Sequence, residues 1–100
     1  MAAGEFAKTL ESVATQLMGG AELFVNGEII PVRRVGHGMY RIAQFKCDGR
    51  TFEAIEQNPD KPSQWGKLAR QGRKVVQFRD LDSQKYVAVS VDGKVKQYGG

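Results

Sequence analysis

Three dipeptides, each an asparagine or aspartate followed by glycine, constrain this chain more than any other feature. They lie at 26–27, 48–49 and 92–93, and each separates two segments in which apolar residues alternate with polar ones. The two-residue turns that match the twist of paired strands need a positive φ at one or both positions, and Asn-Gly and Asp-Gly tolerate this best. The sequence therefore predicts a sheet built from antiparallel hairpins.

The first hairpin is predicted to join strands over 21–25 and 28–35. A two-residue turn fixes the register, which places Leu23 opposite Ile30. Pro31 lies inside the second strand and has no N–H to donate, so this strand is expected to be an edge or to bend there.

The second hairpin is predicted over 39–57, around the Asp48-Gly49 turn. Its register pairs Phe45 with Phe52 on one face and Ile42 with Ile55 on the other. Apolar residues on both faces indicate a sheet that is curved into a barrel or covered by a helix.

Two segments show helical rather than alternating periodicity. Residues 5–18 have an apolar stripe at steps of three and four, and Gly19-Gly20 is expected to end this helix. Ser63 is a suitable N-cap for a short helix over 64–71 that stops at Gly72. Strands are expected to resume after it. They cover 74–79, 85–91 and 94–98.

These elements predict one domain of the α+β class with a mainly antiparallel sheet. It has an N-terminal helix, a hairpin-rich curved sheet and one short internal helix. Two finer arrangements fit the order, a small half-open barrel of the SH3 or OB kind and a β-grasp arrangement of residues 39–98. The predicted divisions of the single domain 1–100 are the amphipathic helix in 1–20, the sheet in 21–98 with the short helix in 63–72, and the tail 99–100.

The scarcity of cysteine and histidine limits the chemistry of this chain. One cysteine permits no internal disulfide, and one cysteine with one histidine cannot build a zinc site unless carboxylates or a second chain complete it. His37 and Cys47 lie at opposite ends of one predicted strand, about 30 Å apart if it is extended, which is too far for a catalytic pair. The carboxylates Glu53 and Glu56 point to opposite faces of a strand. We therefore expect neither an enzyme nor a protein with a bound metal or cofactor.

Three features of the sequence bear on where in the cell the protein is expected. The chain has no apolar run long enough to cross a bilayer and no basic, apolar leader of the secretory type. A single thiol is compatible with a reducing compartment. We expect a cytoplasmic protein with no membrane association.

Positive charge is concentrated in one segment. Residues 61–79 contain six basic residues and no acidic one, whereas residues 1–32 contain one lysine against four glutamates. A local excess of this kind can attract phosphate oxygens or an acidic protein. The candidate contact residues are five cations of the segment 61–79 and a pair near the exit of the first hairpin. They are Lys67, Arg70, Arg73, Lys74 and Arg79, with Arg33 and Arg34.

The C-terminal Gly99-Gly100 follows a predicted strand. This tail, together with the hairpin–helix–strand order of 39–98, resembles ubiquitin-like modifiers and sulfur-carrier proteins. The resemblance implies a β-grasp fold and a carrier whose Gly100 carboxylate is adenylated by an activating enzyme. The chain departs from that family by the helix and hairpin that precede residue 39 and by Gly66 within the short helix.

Three functional hypotheses follow, and the first is favoured. It is a small non-enzymatic binding domain that contacts nucleic acid or an acidic protein through 61–79. The second is a β-grasp carrier or modifier acting through Gly100. The third is a structural subunit that docks on a partner, or on another copy, through the helix 5–18.

Overall fold

The computed structural model describes residues 3–20, 22–35, 40–57 and 64–98. It contains two helices and eight strands within those ranges. In chain order they are α1 Ala3–Gly19, β1 Leu23–Val25, β2 Glu28–Ile30, β3 Val32–Val35, β4 Tyr40–Cys47, β5 Arg50–Glu56, α2 Gln64–Arg70, β6 Val75–Asp80, β7 Lys85–Val91 and β8 Lys94–Gln97.

The strands form two antiparallel sheets. Strands β1 and β2 pair with each other, and β3 to β8 form a six-stranded sheet in which each strand lies beside its neighbours in sequence. This arrangement confirms the predicted α+β class with a mainly antiparallel sheet. The choice between a half-barrel and a β-grasp arrangement stays a prediction.

The three predicted hairpin turns are confirmed. Asn26, Asp48 and Asp92 have φ values of 52°, 54° and 53°, and the glycine that follows each of them also has a positive φ. The predicted registers are confirmed too, with Leu23 opposite Ile30 and Phe45 opposite Phe52. Local turn chemistry therefore determines the pairing of these strands.

Pro31 is the point where the first hairpin leaves the six-stranded sheet. The predicted strand 28–35 is divided there into β2, which pairs with β1, and β3, which pairs with β4. The expected edge is present, because β3 is the terminal strand of the six-stranded sheet, and residue 31 itself belongs to neither strand. Because proline cannot donate to a ladder, the pairing of the two segments is interrupted at this residue.

The core lies between α1 and one face of the six-stranded sheet. The apolar stripe of α1 is buried against Phe45, Phe52 and Phe78, each at most 2% exposed. Phe52 contacts Phe6 of α1 and Phe45 of β4, with ring centroids 5.3 and 5.8 Å apart. The predicted helix 5–18 therefore buries its stripe within its own chain.

The opposite face of the sheet is also partly covered. Val75 and Val89 are 2% exposed, yet they alternate with core residues and so point away from α1. Helix α2 contacts β6, its Trp65 is half-buried and its Gly66 is buried. We infer that α2 packs over Val75 of β6, on the sheet face turned away from α1.

Two side chains join the end of α1 to the strands. The Arg41 guanidinium donates a hydrogen bond to the carbonyl oxygen of Leu17 in the last turn of α1, where a positive charge is favourable. The Gln16 amide donates to the Phe24 carbonyl at 3.0 Å and accepts from the Phe24 N–H at 2.8 Å. Gln16 thus occupies the outer edge of β1 as a neighbouring strand would.

Candidate anion-binding surface

Helix α2 presents two of the predicted basic residues to solvent. Lys67 and Arg70 are exposed, whereas Trp65 and Leu68 on the same helix are half-buried. Residues three apart lie on neighbouring positions of a helix surface, so these two cations are adjacent. The predicted N-cap Ser63 lies outside the described residues, and the helix ends at Arg70, one residue before the predicted end.

The segment after α2 is held in place by the third hairpin turn. Arg73 forms an ion pair with the Asp92 carboxylate, which also accepts a hydrogen bond from the Lys74 N–H at 2.9 Å. The Asp92 N–H in turn donates to the Lys74 carbonyl at 2.8 Å. The Lys74 backbone bond and the Arg73 side chain hold the pKa of the Asp92 carboxyl below its ordinary value. These contacts fix Arg73 and Lys74 beside α2, and both residues remain exposed.

Arg79 occupies a different environment from the other predicted cations. It lies opposite Glu53 on the neighbouring strand β5, and the guanidinium and carboxylate approach to 3.3 Å. The Arg79 side chain is 31% exposed and the Glu53 side chain 9%. The Glu53 carboxylate therefore balances the charge of Arg79, and Arg79 adds little to the positive potential outside the protein.

Arg33 and Arg34 are exposed on β3, away from α2. Two strands separate β3 from β6, which places them about 14 Å apart. Successive residues of a strand point to opposite faces, so Arg34 lies on the α1 face opposite Arg41 while Arg33 lies on the other. The sheet therefore does not bring this pair into one cluster with the cations of α2.

Two lysines that the sequence reasoning did not select lie on the same sheet face as Val75 and Val89. Lys94 pairs with Val91 and Lys96 with Val89, and both lysines are exposed. The two lysines alternate with Val95, which packs against the core. This alternation could have indicated from the sequence that both lysines share the opposite face of β8. It was missed because residues 80–100 carry no net charge as a segment.

We call the exposed residues Lys67, Arg70, Arg73 and Lys74 the basic surface, in which the Asp92 carboxylate balances the charge of Arg73. Lys94 and Lys96 lie on the sheet face turned away from α1. The acidic residues of α1, Glu5 and Glu11, belong to the layer on the other side of the sheet.

A buried carboxylate is a second feature that the sequence reasoning missed. Asp80, 1% exposed, forms an ion pair with Arg50 across the β5–β6 edge and accepts hydrogen bonds from the Asp82 and Ser83 N–H groups at 2.8 and 3.3 Å. Arg50 also lies over the Phe52 ring, 5.3 Å from its centroid. Burial alone would raise the pKa of the Asp80 carboxyl, but the bonds from Arg50, Asp82 and Ser83 outweigh it and hold the pKa below 3.8.

Stability is therefore expected to depend on Asp80 at acidic pH. A carboxyl whose pKa is lower in the folded chain stabilises the fold above its unfolded pKa, and this contribution is lost as the pH falls through the folded value. Urea unfolding should show the wild type losing stability below about pH 4. The difference between the wild type and Asp80→Asn should shrink over the same interval. A difference that stays constant from neutral pH to about pH 2 would contradict the assignment.

The remaining candidates for chemistry are Cys47 and His37. Cys47 is buried among core residues, and burial followed by the nearby Asp48 charge raises the pKa of its thiol above 9.0. A protonated, buried thiol is a poor nucleophile. His37 lies outside the described residues, as do Gly99 and Gly100 of the predicted carrier tail.

Comparison with known proteins adds no assignment. The chain matches no protein-family model, no curated protein and no solved structure. Within the described ranges, no group of three or more side chains is arranged to hold a metal ion. Neither α1 nor α2 has the length and apolar character needed to cross a membrane.

Proposed function

We propose that this protein is a small binding domain whose basic surface holds the phosphate backbone of a nucleic acid. The observation that carries the proposal is the exposure of Lys67, Arg70 and Lys74 in a segment, 61–79, that contains no acidic residue. Cations on an exposed helix attract phosphates without reading bases, so the expected binding is independent of sequence.

The number of exposed cations favours a polyanion over a single small anion. Lys67 and Arg70 lie about 4.5 Å apart along the axis of α2. Lys74 lies beyond the end of the helix, so an extended ligand with several phosphates can contact more of these charges than a small anion can. Lys94 and Lys96 on β8 offer further contacts to a ligand that extends beyond the helix.

The salt dependence of binding tests this proposal. Each phosphate neutralised on a duplex contributes about −0.9 to the slope of log affinity against log salt. The double variant Lys67→Gln, Lys74→Gln should reduce the magnitude of the slope by up to about 1.8 and leave the unfolding free energy nearly unchanged. The measurement is fluorescence anisotropy with labelled DNA and RNA oligonucleotides, single-stranded and duplex.

A matched control is the double variant Lys8→Gln, Lys85→Gln, which removes the same charge from exposed positions outside the basic surface. This control should preserve the slope. An equal reduction by both variants would show an effect of net charge alone and contradict the assigned surface. Failure of every oligonucleotide to bind tighter than about 100 μM at low salt would overturn the nucleic-acid proposal, and binding of polyglutamate under those conditions would indicate an acidic protein partner.

A further inference from the structure

A β-bulge in β7 determines the direction in which Tyr86 points. Two consecutive residues of β6, Phe78 and Arg79, pair with Ala88 and Tyr86, so Val87 is an extra residue without a partner in this ladder. By simple alternation Tyr86 would share the α1 face of the sheet with Ala88. The bulge leaves Val87 packed against the core and places Tyr86 beside Arg79, on the face turned away from α1. Tyr86 is 47% exposed there.

A second exposed aromatic ring lies on the neighbouring strand. The Tyr98 N–H donates to the Val87 carbonyl at 2.9 Å, so Tyr98 continues β8 one residue out of register with Tyr86. Tyr98 alternates with Gln97 as Lys96 does, and it therefore shares with Lys96 the face turned away from α1. It is 37% exposed. Among the described residues, neither tyrosine ring stacks on another aromatic ring or on a cation.

A row of side chains on β8 connects these rings with the basic surface. Lys94, Lys96 and Tyr98 follow one another at intervals of about 6.8 Å. The strand begins at the turn whose Asp92 carboxylate pairs with Arg73, so one end of the row lies next to the basic surface. The other end lies beside the ring that the bulge directs outward.

The charge of the two lysines in this row is not cancelled by a neighbouring carboxylate. Strands β7 and β8 contain no acidic residue, and the Asp92 carboxylate between them is already paired with Arg73. Lys94 and Lys96 are exposed, and neither forms an ion pair with a described residue. The outer face of β7 and β8 thus combines free positive charge with free aromatic rings.

This combination favours a nucleic acid whose bases are accessible. The bases of a duplex are stacked on one another, whereas the bases of a single strand can pack against aromatic side chains. Single-strand sites combine such rings with cations that neutralise the phosphates joining successive bases. An acidic peptide would also be attracted by the lysines, but it has no flat groups for the two rings.

We propose that the outer face of β7 and β8 binds single-stranded DNA or RNA, with Tyr86 and Tyr98 each stacking on a base. Lys94 and Lys96 contact the phosphates between these bases and the basic surface. This inference rests on the proposed function, since it adds contacts to bases to the phosphate contacts already assigned. Because every base has a flat face, binding remains independent of sequence.

The probe is a fluorescently labelled thymidine 12-mer, compared with an abasic 12-mer that has the same phosphates and no bases. At about 50 mM salt, fluorescence anisotropy should show the wild type binding the thymidine oligomer at least about fivefold more tightly, because only this oligomer can stack. A uridine RNA 12-mer should bind comparably to the thymidine oligomer, since stacking on a ring does not require the sugar hydroxyl.

The two rings are then tested in the protein. Tyr86→Ala and Tyr98→Ala should each weaken binding of the thymidine oligomer about fivefold or more, and leave binding of the abasic oligomer and of a 12-base-pair duplex unchanged. Neither variant removes a charge, so the slope of log affinity against log salt should stay the same. Tyr86→Phe retains the ring and should bind as the wild type does. Phe24→Ala removes a ring of similar exposure from β1 and is the matched control, with no expected change in any affinity.

The outcomes separate this inference from the proposed function. Equal affinity for the thymidine and abasic oligomers, with a salt slope that still falls in the double variant Lys67→Gln, Lys74→Gln, would overturn base stacking and retain the phosphate-binding surface. Equal weakening of single-strand and duplex binding in Tyr86→Ala would also overturn it. Tighter binding of polyglutamate than of any oligonucleotide would overturn both and assign the cations to an acidic protein.

Discussion

Replacement of Phe52 by alanine is expected to lower the free energy of unfolding by about 3–5 kcal/mol. The Phe52 side chain is 1% exposed, and its ring lies between Phe6 of α1 and Phe45 of β4. Removing it leaves a cavity at the contact between the N-terminal helix and the sheet, which neighbouring rings can fill only in part. Urea unfolding at neutral pH, followed by circular dichroism, measures the change.

The matched control for this prediction is Phe24→Ala. It deletes the same atoms from a side chain on β1 that is 50% exposed, and its backbone bonds to Gln16 are unaffected by the substitution. The expected change is within about 0.5 kcal/mol. Similar losses in the two variants would mean that Phe52 is not at the centre of the core.

The hairpins were predictable because their determinants are local. Two residues, such as Asp48 and Gly49, set the turn, and the turn then sets which residues pair along the strands. The buried stripe of α1 is also a local pattern, read from the spacing of apolar residues. The hairpin turns, the strand registers that they determine and the buried face of α1 could therefore be predicted, because each depends on residues that are close in sequence.

Contacts between distant residues were not predictable in the same way. Arg50 and Asp80 are 30 residues apart and meet only because β5 and β6 are neighbours. Asp92 was assigned a turn role alone, but its carboxylate also binds Arg73 and the Lys74 N–H. A carboxylate in a turn has the same local signature whether or not a distant cation faces it, so sequence spacing cannot separate these cases.

The candidate cations were selected from the sequence by segment, without knowledge of the sheet face on which each one lies. Residues 61–79 were selected for their summed charge, which includes Arg79 although the sheet places it against Glu53. Lys96 was omitted, although its register opposite Val89 puts it on the sheet face opposite α1. Charge along the chain becomes charge on a surface only after the register is known, because adjacent strand residues point to opposite faces.

Replacement of Gly49 by valine is expected to lower the free energy of unfolding by about 1–2 kcal/mol or more. Gly49 has a φ of 75°, and a Cβ added there meets no atom within 4 Å. No other residue crowds the added Cβ, so the expected cost comes from holding a β-branched residue at positive φ. The second hairpin supplies Phe45 and Phe52 to the core, so a strained turn is also expected to speed unfolding.

Gly4→Val separates this backbone cost from the general effect of replacing glycine. Gly4 lies in α1 without a positive φ, and a Cβ there also meets no atom within 4 Å. Valine has a higher helix propensity than glycine, so this variant should unfold with an unchanged or slightly higher free energy. If Gly49→Val is as stable as the wild type while Gly4→Val behaves as expected, the Asp48-Gly49 turn cannot have the positive φ values on which the predicted register depends. A loss in Gly49→Val alone would locate the strain in the turn that pairs Phe45 with Phe52.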